Sequence, residues 1–283
     1  MNNTVENPLS FMPWVGGKSF RSVPQGPWIA SLLPYDPKGV WCEPYGGMLG
    51  ITLQRPKSFI EILNDRDFEV FNLFRVLRTR KEELEHMLRY SMNNKNEHVF
   101  ARQLMREHPV AGDDVERAWA LVQAVCQSVA KTINDSGFSM HWDSANGVVR
   151  RPMSVYADRL EALRARLEQV YFVNRDAIEV LNKLKDVRDA VIYCDPPYPT
   201  AREFYGNAAL DVGALSEVLM MQRGRVLVSG INDEWEHLVG WERHVCPSSN
   251  NGSPGPGAGE SFEVVWANYD VHAHQPQQSL WGG

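Results

Sequence analysis

Apolar residues fall along this chain in two rhythms. Short unbroken runs rich in β-branched and aromatic residues begin at Val40 and recur at Phe59–Leu63, Val170–Val173, Ala190–Cys194, Arg225–Ser229, Trp241–Cys246 and Phe262–Trp266. Runs of that length bounded by turn residues fit strands buried on both faces. Helical spacing alternates with them over Ile51–Gln54, Phe68–Arg78, Ser154–Val170, Ala177–Leu184, Asp211–Gln222 and Asn232–Val239. In Ser154–Val170, Leu160, Leu163 and Leu167 share one side. Between Arg80 and Arg151 the strand rhythm is lost. Helical patterns at Glu82–Tyr90, Glu97–Glu107 and Asp114–Ile133 alternate there with polar loops. Leu121, Val125, Val129 and Ile133 repeat every four residues, which predicts one buried face. The alternation outside 80–151 predicts an α/β fold, a doubly wound and mostly parallel sheet carrying a helical insertion.

The stretch Asp189–Tyr198 ends one of these strands with Cys194-Asp195-Pro196-Pro197-Tyr198. Neither proline can donate to a ladder, so the strand stops there. A carboxylate, prolyl carbonyls and an aromatic ring then stand together at the carboxyl end of a strand, where open α/β sheets place ligands. Such a set suits the exocyclic amine of a nucleobase, whose lone pair is delocalised into the ring. Asp195 and the Pro196 carbonyl would accept its two hydrogens, and Tyr198 would stack on the base, a contact of about 1–3 kcal/mol. The plain alternative is a rigid strand-to-loop turn.

Upstream, Trp14-Val15-Gly16-Gly17-Lys18-Ser19 ends like a phosphate-binding loop. That motif needs a glycine five positions before the Gly-Lys pair, and Met12 stands there, so an ATPase reading fails. A glycine turn with a lysine beside it remains, either approaching a ligand or simply solvated. Glu43-Pro44-Tyr45-Gly46-Gly47 follows a strand as a glycine bend that a nucleoside cofactor can approach, although it is not a dinucleotide fingerprint. Asp65 lies about 20 residues on, where such folds bind ribose hydroxyls; Asp65 or Asp67 could instead cap the helix from Phe68. Asp176 has the same two readings before Ala177.

Composition narrows the class. At 283 residues and 43% hydrophobic the chain can bury a full core. No apolar run approaches the roughly 20 residues of a membrane span. The polar Met1–Pro8 has no signal-peptide core, so secretion is not expected. Cys42, Cys126, Cys194 and Cys246 are scattered, which points to reduced buried thiols and no zinc site. The net charge of −6 confines any nucleic-acid contact to a local basic face. Lys95, Lys131, Asn134 and the pair Arg150-Arg151, interleaved with amides and aromatics, supply candidates. A purely structural helical insertion is the alternative. The Gly/Ser/Pro-rich 248–261 segment is expected as a mobile loop.

In this order, Trp14–Lys18, Glu43–Gly47, Asn64-Asp65, Asn174–Ala177, Asp195–Tyr198 and Glu263–Asn268 resemble the Dam-like DNA adenine methyltransferases nearly end to end. The resemblance implies a Rossmann-like methyltransferase sheet formed by 1–79 and 152–283, with 80–151 as a helical target-recognition domain. It implies S-adenosylmethionine as cofactor, cradled at Glu43, Tyr45, Gly46 and Gly47, with Asp65 on its ribose, Asp176 facing its adenine, and Trp14 and Lys18 at its methionine end. Asp195, Pro196, Pro197 and Tyr198 would be catalytic, with Asp195 also beside the cofactor. The target adenine would be flipped out of double-stranded DNA, since its amine is otherwise paired. A cytoplasmic enzyme of a bacterial or phage-infected cell, monomer or weak dimer, without metal, is expected. Methylation of cytosine N4, or an inactive DNA- or cofactor-binding relative, are the alternatives. Leu49 stands where this bend usually has a second glycine, and its side chain must turn into the core to avoid crowding the cofactor.

Overall fold

The computed structural model describes residues 10–14, 16–18, 25–106, 113–128, 152–197, 210–247 and 262–273. Seven strands form one sheet: β1 (Val40–Glu43), β2 (Ile60–Asn64), β3 (Tyr171–Val173), β4 (Ala190–Cys194), β5 (Arg225–Ile231), β6 (Glu242–Val245) and β7 (Glu263–Ala267). Their order is β3-β2-β1-β4-β5-β7-β6. All neighbours from β3 to β5 are parallel, and β7 runs antiparallel to both β5 and β6. The chain winds outward from β1 through β2 to β3, then returns to start again at β4 beside β1. The switch point therefore lies between β1 and β4, and the crevice at their carboxyl ends is where ligands bind in such sheets. The predicted doubly wound, mostly parallel sheet is present.

The sheet is buried on both faces because its strands are apolar on both. Val191 and Tyr193 of β4 enter one core cluster, and Ala190, Ile192 and Cys194 enter the other. This is the two-residue alternation of a strand between two covering layers. One face is covered by α1 (Gln25–Leu32), α2 (Phe68–Thr79), α5 (Asp114–Cys126) and α7 (Leu160–Arg166). The other is covered by α8 (Ala177–Leu184) and α9 (Val212–Met220). The helices α3 (Lys81–Tyr90) and α4 (Lys95–Arg106) add Leu84, Leu88, Ala101 and Leu104 to the first cluster.

Three expectations need correction. The helix from Asp114 ends at Cys126 rather than Ile133, and it is buried all round rather than on one face. Ala118, Ala120, Leu121, Val122, Ala124 and Val125 are each fully enclosed. Its alanines let α2, α3 and α4 approach from several sides; Val129 and Ile133 lie outside the described residues. The helix expected over Ser154–Val170 is two pieces, α6 (Ser154–Ala157) and α7. At the break the Arg159 N–H bonds Tyr156 three residues back, while its guanidinium reaches the carbonyls of Ser10 and Phe11 at 3.2 and 2.5 Å. Finally, Asn232–Val239 is a chain of turns, not a helix. Asn232 enters at φ 55°, the successive bonds span three residues (Ile231 to Glu234, Asp233 to Glu236, Trp235 to Leu238), and the Trp235 indole N–H is tied back to the Ser229 carbonyl at 3.0 Å. Short α1, which opens on Gln25-Gly26-Pro27, carried no periodic signal and was not expected. Among the described residues no helix is long and apolar enough to cross a membrane, and no group of three metal-ligating side chains assembles.

Candidate active site

The carboxyl ends of β1 and β2 hold the glycine bend. The Gly46 N–H bonds the Asn64 carbonyl at 2.8 Å, and the Asn64 amide donates to the carbonyls of Pro44 at 2.8 Å and Arg175 at 3.1 Å. Asn64 thereby stitches the loops after β1 and β3 to its own strand. The Gly47 N–H bonds Asp65 Oδ2 at 2.8 Å, with Gly47 at φ 46°. A Cβ there would stand 2.9 Å from the Trp14 indole, so the residue must be glycine for the ring to lie against the backbone. Leu49 adopts φ 58°, a conformation that disfavours a side chain by about 1–2 kcal/mol. It is 2% exposed and packs under Gly46, so it has turned into the core as the cradle requires.

The carboxylates of this region divide their work. Asp67 caps α2 by accepting the Glu69 N–H at 2.8 Å, which leaves Asp65 free of that duty. Asp65 accepts the N–H groups of Gly47 and Asp67, one on each oxygen, and each oxygen retains a lone pair for a further donor. Its half-buried position lifts its pKa from 3.8 to about 6, against the pull of those two bonds. Asp176 caps α8 through the Ile178 N–H at 2.9 Å, with Arg66 at 3.6 Å, so its capping reading holds. Glu43 is enclosed and accepts both the N–H and the hydroxyl of Thr52 on one oxygen, at 3.2 and 2.5 Å. Burial, helped by the Asp195 charge, pushes it up to about 8. Tyr45 packs partly buried against the core of the opposite face.

Asp195 leaves β4 at the switch point with its side chain 17% exposed. Lys18 Nζ lies 3.3 and 3.2 Å from its two oxygens, 3.3 Å from Glu263 Oε1 and 3.1 Å from the Gly16 carbonyl. Lys18 is only 6% exposed, which overturns the solvated-turn reading of Trp14–Lys18. Burial alone would lower its pKa, yet the carboxylates of Asp195 and Glu263 outweigh that and hold it above 10.5, so the ammonium is kept charged. The lysine is placed from several sides. Gln54 donates to its carbonyl at 2.8 Å, α1 brings Gly26 so close that a Cβ would stand 2.0 Å from that carbonyl, and Arg159 anchors the preceding segment at Ser10 and Phe11. Behind Asp195, the Tyr193 hydroxyl and Ser229 Oγ are 2.8 Å apart and fully buried.

Glu263 was missed as a site residue. The segment Glu263–Asn268 drew notice as a motif, but no signal in it says that its first carboxylate meets Lys18. The reason is topological: β7 is reversed, so its first residue pairs with Ile231 at the end of β5 and lands at the carboxyl edge of the parallel strands. Pro196 is buried and Pro197 half-buried beside Asp195. Lys95 is exposed at the start of α4. Tyr198, Lys131, Asn134, Arg150 and Arg151 lie outside the described residues. The structure thus brings Trp14 against Gly47, Gly47 onto Asp65, and Lys18 onto Asp195.

Compared with known families, residues 14–210, more than half of the chain, match the model of the D12 class N6 adenine-specific DNA methyltransferases. No curated protein matches the chain.

Proposed function

The chain belongs to the D12 class N6 adenine-specific DNA methyltransferase family, and from that premise we propose how its residues divide the reaction. The enzyme transfers a methyl group to N6 of adenine in DNA, not to cytosine N4. S-adenosylmethionine fits the chemistry of the β1 and β2 edge, where bare backbone at Gly46 and Gly47 stands beside a carboxylate with acceptor capacity left over. In this reading Asp65 accepts ribose hydroxyls, and Trp14, Tyr45 and the Gly46-Gly47 backbone wall the site, with Glu43 as the buried anchor beneath the bend. Asp176 lies at its outer rim, facing the adenine end. The cofactor, when bound, supplies an electrophilic methyl on a sulfonium.

Asp195 and the Pro196 carbonyl accept the hydrogens of the target amine, turning its lone pair outward, and Pro197 keeps the backbone from folding into a helix. Tyr198 stacks on the base. The amine must leave the duplex to reach Asp195, so the base is flipped. Holding both reactants in place can supply about 7–11 kcal/mol of the barrier. Residues 80–151 form the target-recognition region, with Lys95, Lys131, Asn134, Arg150 and Arg151 contacting DNA. The catalytic part comprises 1–79 and 152–283.

The observation that carries this reading is Asp195 itself, partly open to solvent at the β1/β4 switch point and gripped through both oxygens by a buried lysine. Asp195→Ala should abolish transfer of tritiated methyl to duplex DNA, while calorimetry still detects S-adenosylmethionine binding. Nucleoside analysis of wild-type product should show N6-methyladenine. Transfer at the wild-type rate by the Asp195→Ala protein would remove Asp195 from the mechanism.

A further inference from the structure

Asp65 stands at the least supported end of the sheet. Strand β3 is three residues long and lies at the edge, and its strand neighbour among the described residues is β2. The backbone ladder between the two closes where the Asp65 N–H meets the Val173 carbonyl at 3.2 Å. A short edge strand frays at such an end, and fraying here would release the loop that carries Asp65. Two side chains extend the pairing past that point. The buried Asn64 carboxamide takes the place of a peptide unit: its oxygen accepts the Arg175 N–H at 3.0 Å, and its nitrogen donates to the Arg175 carbonyl at 3.1 Å. Asn174, the first residue after β3, returns the contact. Its amide donates to the carbonyls of Asp65 at 2.8 Å and Arg66 at 3.0 Å.

We infer that Asn174 is a positioning residue for the cofactor: with Asn64 it forms a reciprocal clasp between the loops after β2 and β3, and the clasp fixes Asp65 for the ribose hydroxyls. The backbone of Asp65 is held on both sides, its N–H by the Val173 carbonyl and its own carbonyl by Asn174. The direction of the carboxylate is then set by the N–H groups of Gly47 and Asp67, at 2.8 Å each. These clasp contacts all reach backbone, so they determine where the loops lie whatever side chains the loops carry. Asn174 is half-buried, and its bond to Arg66 is open to solvent, so water can satisfy the two carbonyls if the side chain is cut back. Water cannot restore the fixed spacing. An acceptor already in place has no ordering cost to meet when the hydroxyls arrive, and a loosened one loses that advantage. The loss falls on binding rather than on chemistry, because the ribose contact is made equally before and during transfer of the methyl.

This inference rests on the reading of Asp65 as the ribose acceptor, and the experiment separates the two. Asn174→Ala removes both donors. Calorimetry with S-adenosylhomocysteine should show Kd rising about tenfold. KM for S-adenosylmethionine should rise alike, while kcat and KM for DNA stay within about twofold. A purely structural asparagine predicts the reverse: a lower melting temperature and a smaller active fraction, with the wild-type Kd in the protein that remains folded. In an Asp65→Ala background, Asn174→Ala should weaken binding by no more than about twofold, because the group it places is already gone. An unchanged Kd for the single variant, or the same tenfold loss repeated in the Asp65→Ala background, overturns the inference and leaves Asp65 in its role. Should Asn174→Ala show no cooperative melt, Asn174→Leu, which keeps the volume without the donors, takes its place and is read the same way. Should Asp65→Ala bind too weakly to measure, the split between Kd and kcat in the single variant decides alone. Asp65→Ala protein that binds S-adenosylhomocysteine as tightly as wild type would instead refute the ribose reading beneath.

Discussion

Glu43 offers a test in which the size of the effect can be worked out beforehand. Its side chain is 3% exposed at the end of β1, and burial raises its pKa from 4.5 to about 8, partly offset by the two bonds from Thr52 and reinforced by Asp195. Between those values the folded chain holds a proton that the unfolded chain has released. Folded protein then binds more protons than unfolded, so stability falls as pH rises. The favourable contribution is fully present below pH 4.5 and is lost as pH climbs through about 8. Each pH unit within that window costs about 1.4 kcal/mol. Over the two and a half units from pH 4.5 to pH 7, this amounts to about 3 kcal/mol.

Glutamine at this position imitates the protonated acid. Its oxygen can accept the Thr52 N–H and hydroxyl, its nitrogen replaces the protonated oxygen, and it does not titrate. Glu43→Gln should therefore match wild type near pH 4 and exceed it by about 3 kcal/mol at pH 7, with no further gain above about pH 8. Urea unfolding followed by tryptophan fluorescence at several pH values measures the difference. A difference that is the same at pH 5 and pH 8 would mean that the carboxyl is ionised in the folded protein throughout and that burial does not hold its proton. A second anion would also stand near Asp195.

Two further substitutions separate packing from placement. Gly26→Ala would drive a Cβ to 2.0 Å from the Lys18 carbonyl, so the segment carrying the lysine must move. A displacement of about 1 Å lowers turnover by roughly 100-fold, and methyl-transfer assays should show that loss although Gly26 touches no substrate; unchanged turnover would mean that α1 does not set the lysine. Leu49→Gly relieves about 1–2 kcal/mol of backbone strain at φ 58°, but removes an enclosed side chain worth about 2–5 kcal/mol. The second effect wins, so the variant should melt earlier than wild type, and a higher melting temperature would show that Leu49 contributes little to the core.

What the sequence disclosed follows from how local each signal is. Strand β4 and helix α8 lie where the apolar run and the capping Asp176 place them, because a strand covered on both faces must be continuously apolar and a helix start needs an acceptor for its first N–H groups. The glycine bend and Asp65 were readable for the same reason, as a strand end and the acid that follows it. Contacts between distant segments were not. Lys18 and Asp195 are 177 positions apart, and the depth at which Lys18 is buried depends on Gly26, Gln54 and Arg159, none of which carries a motif.

The turns of Asn232–Val239 misled because Trp235, Leu238 and Val239 have helical spacing, while the Trp235 indole is claimed by the Ser229 carbonyl and holds the segment against the sheet. Strand direction is the deepest of these gaps. A run of apolar residues reads alike in either orientation, yet only the reversed β7 delivers its first residue to the edge where Asp195 stands. In a parallel β7 that edge would receive the strand's last residues, Trp266 and Ala267, and Glu263 would lie at the far end of the sheet. The meeting of Glu263 with the lysine that also holds Asp195 is thus set by topology as much as by sequence. A carboxylate in a motif of no assigned role becomes legible only when the strand that carries it is known to run backwards.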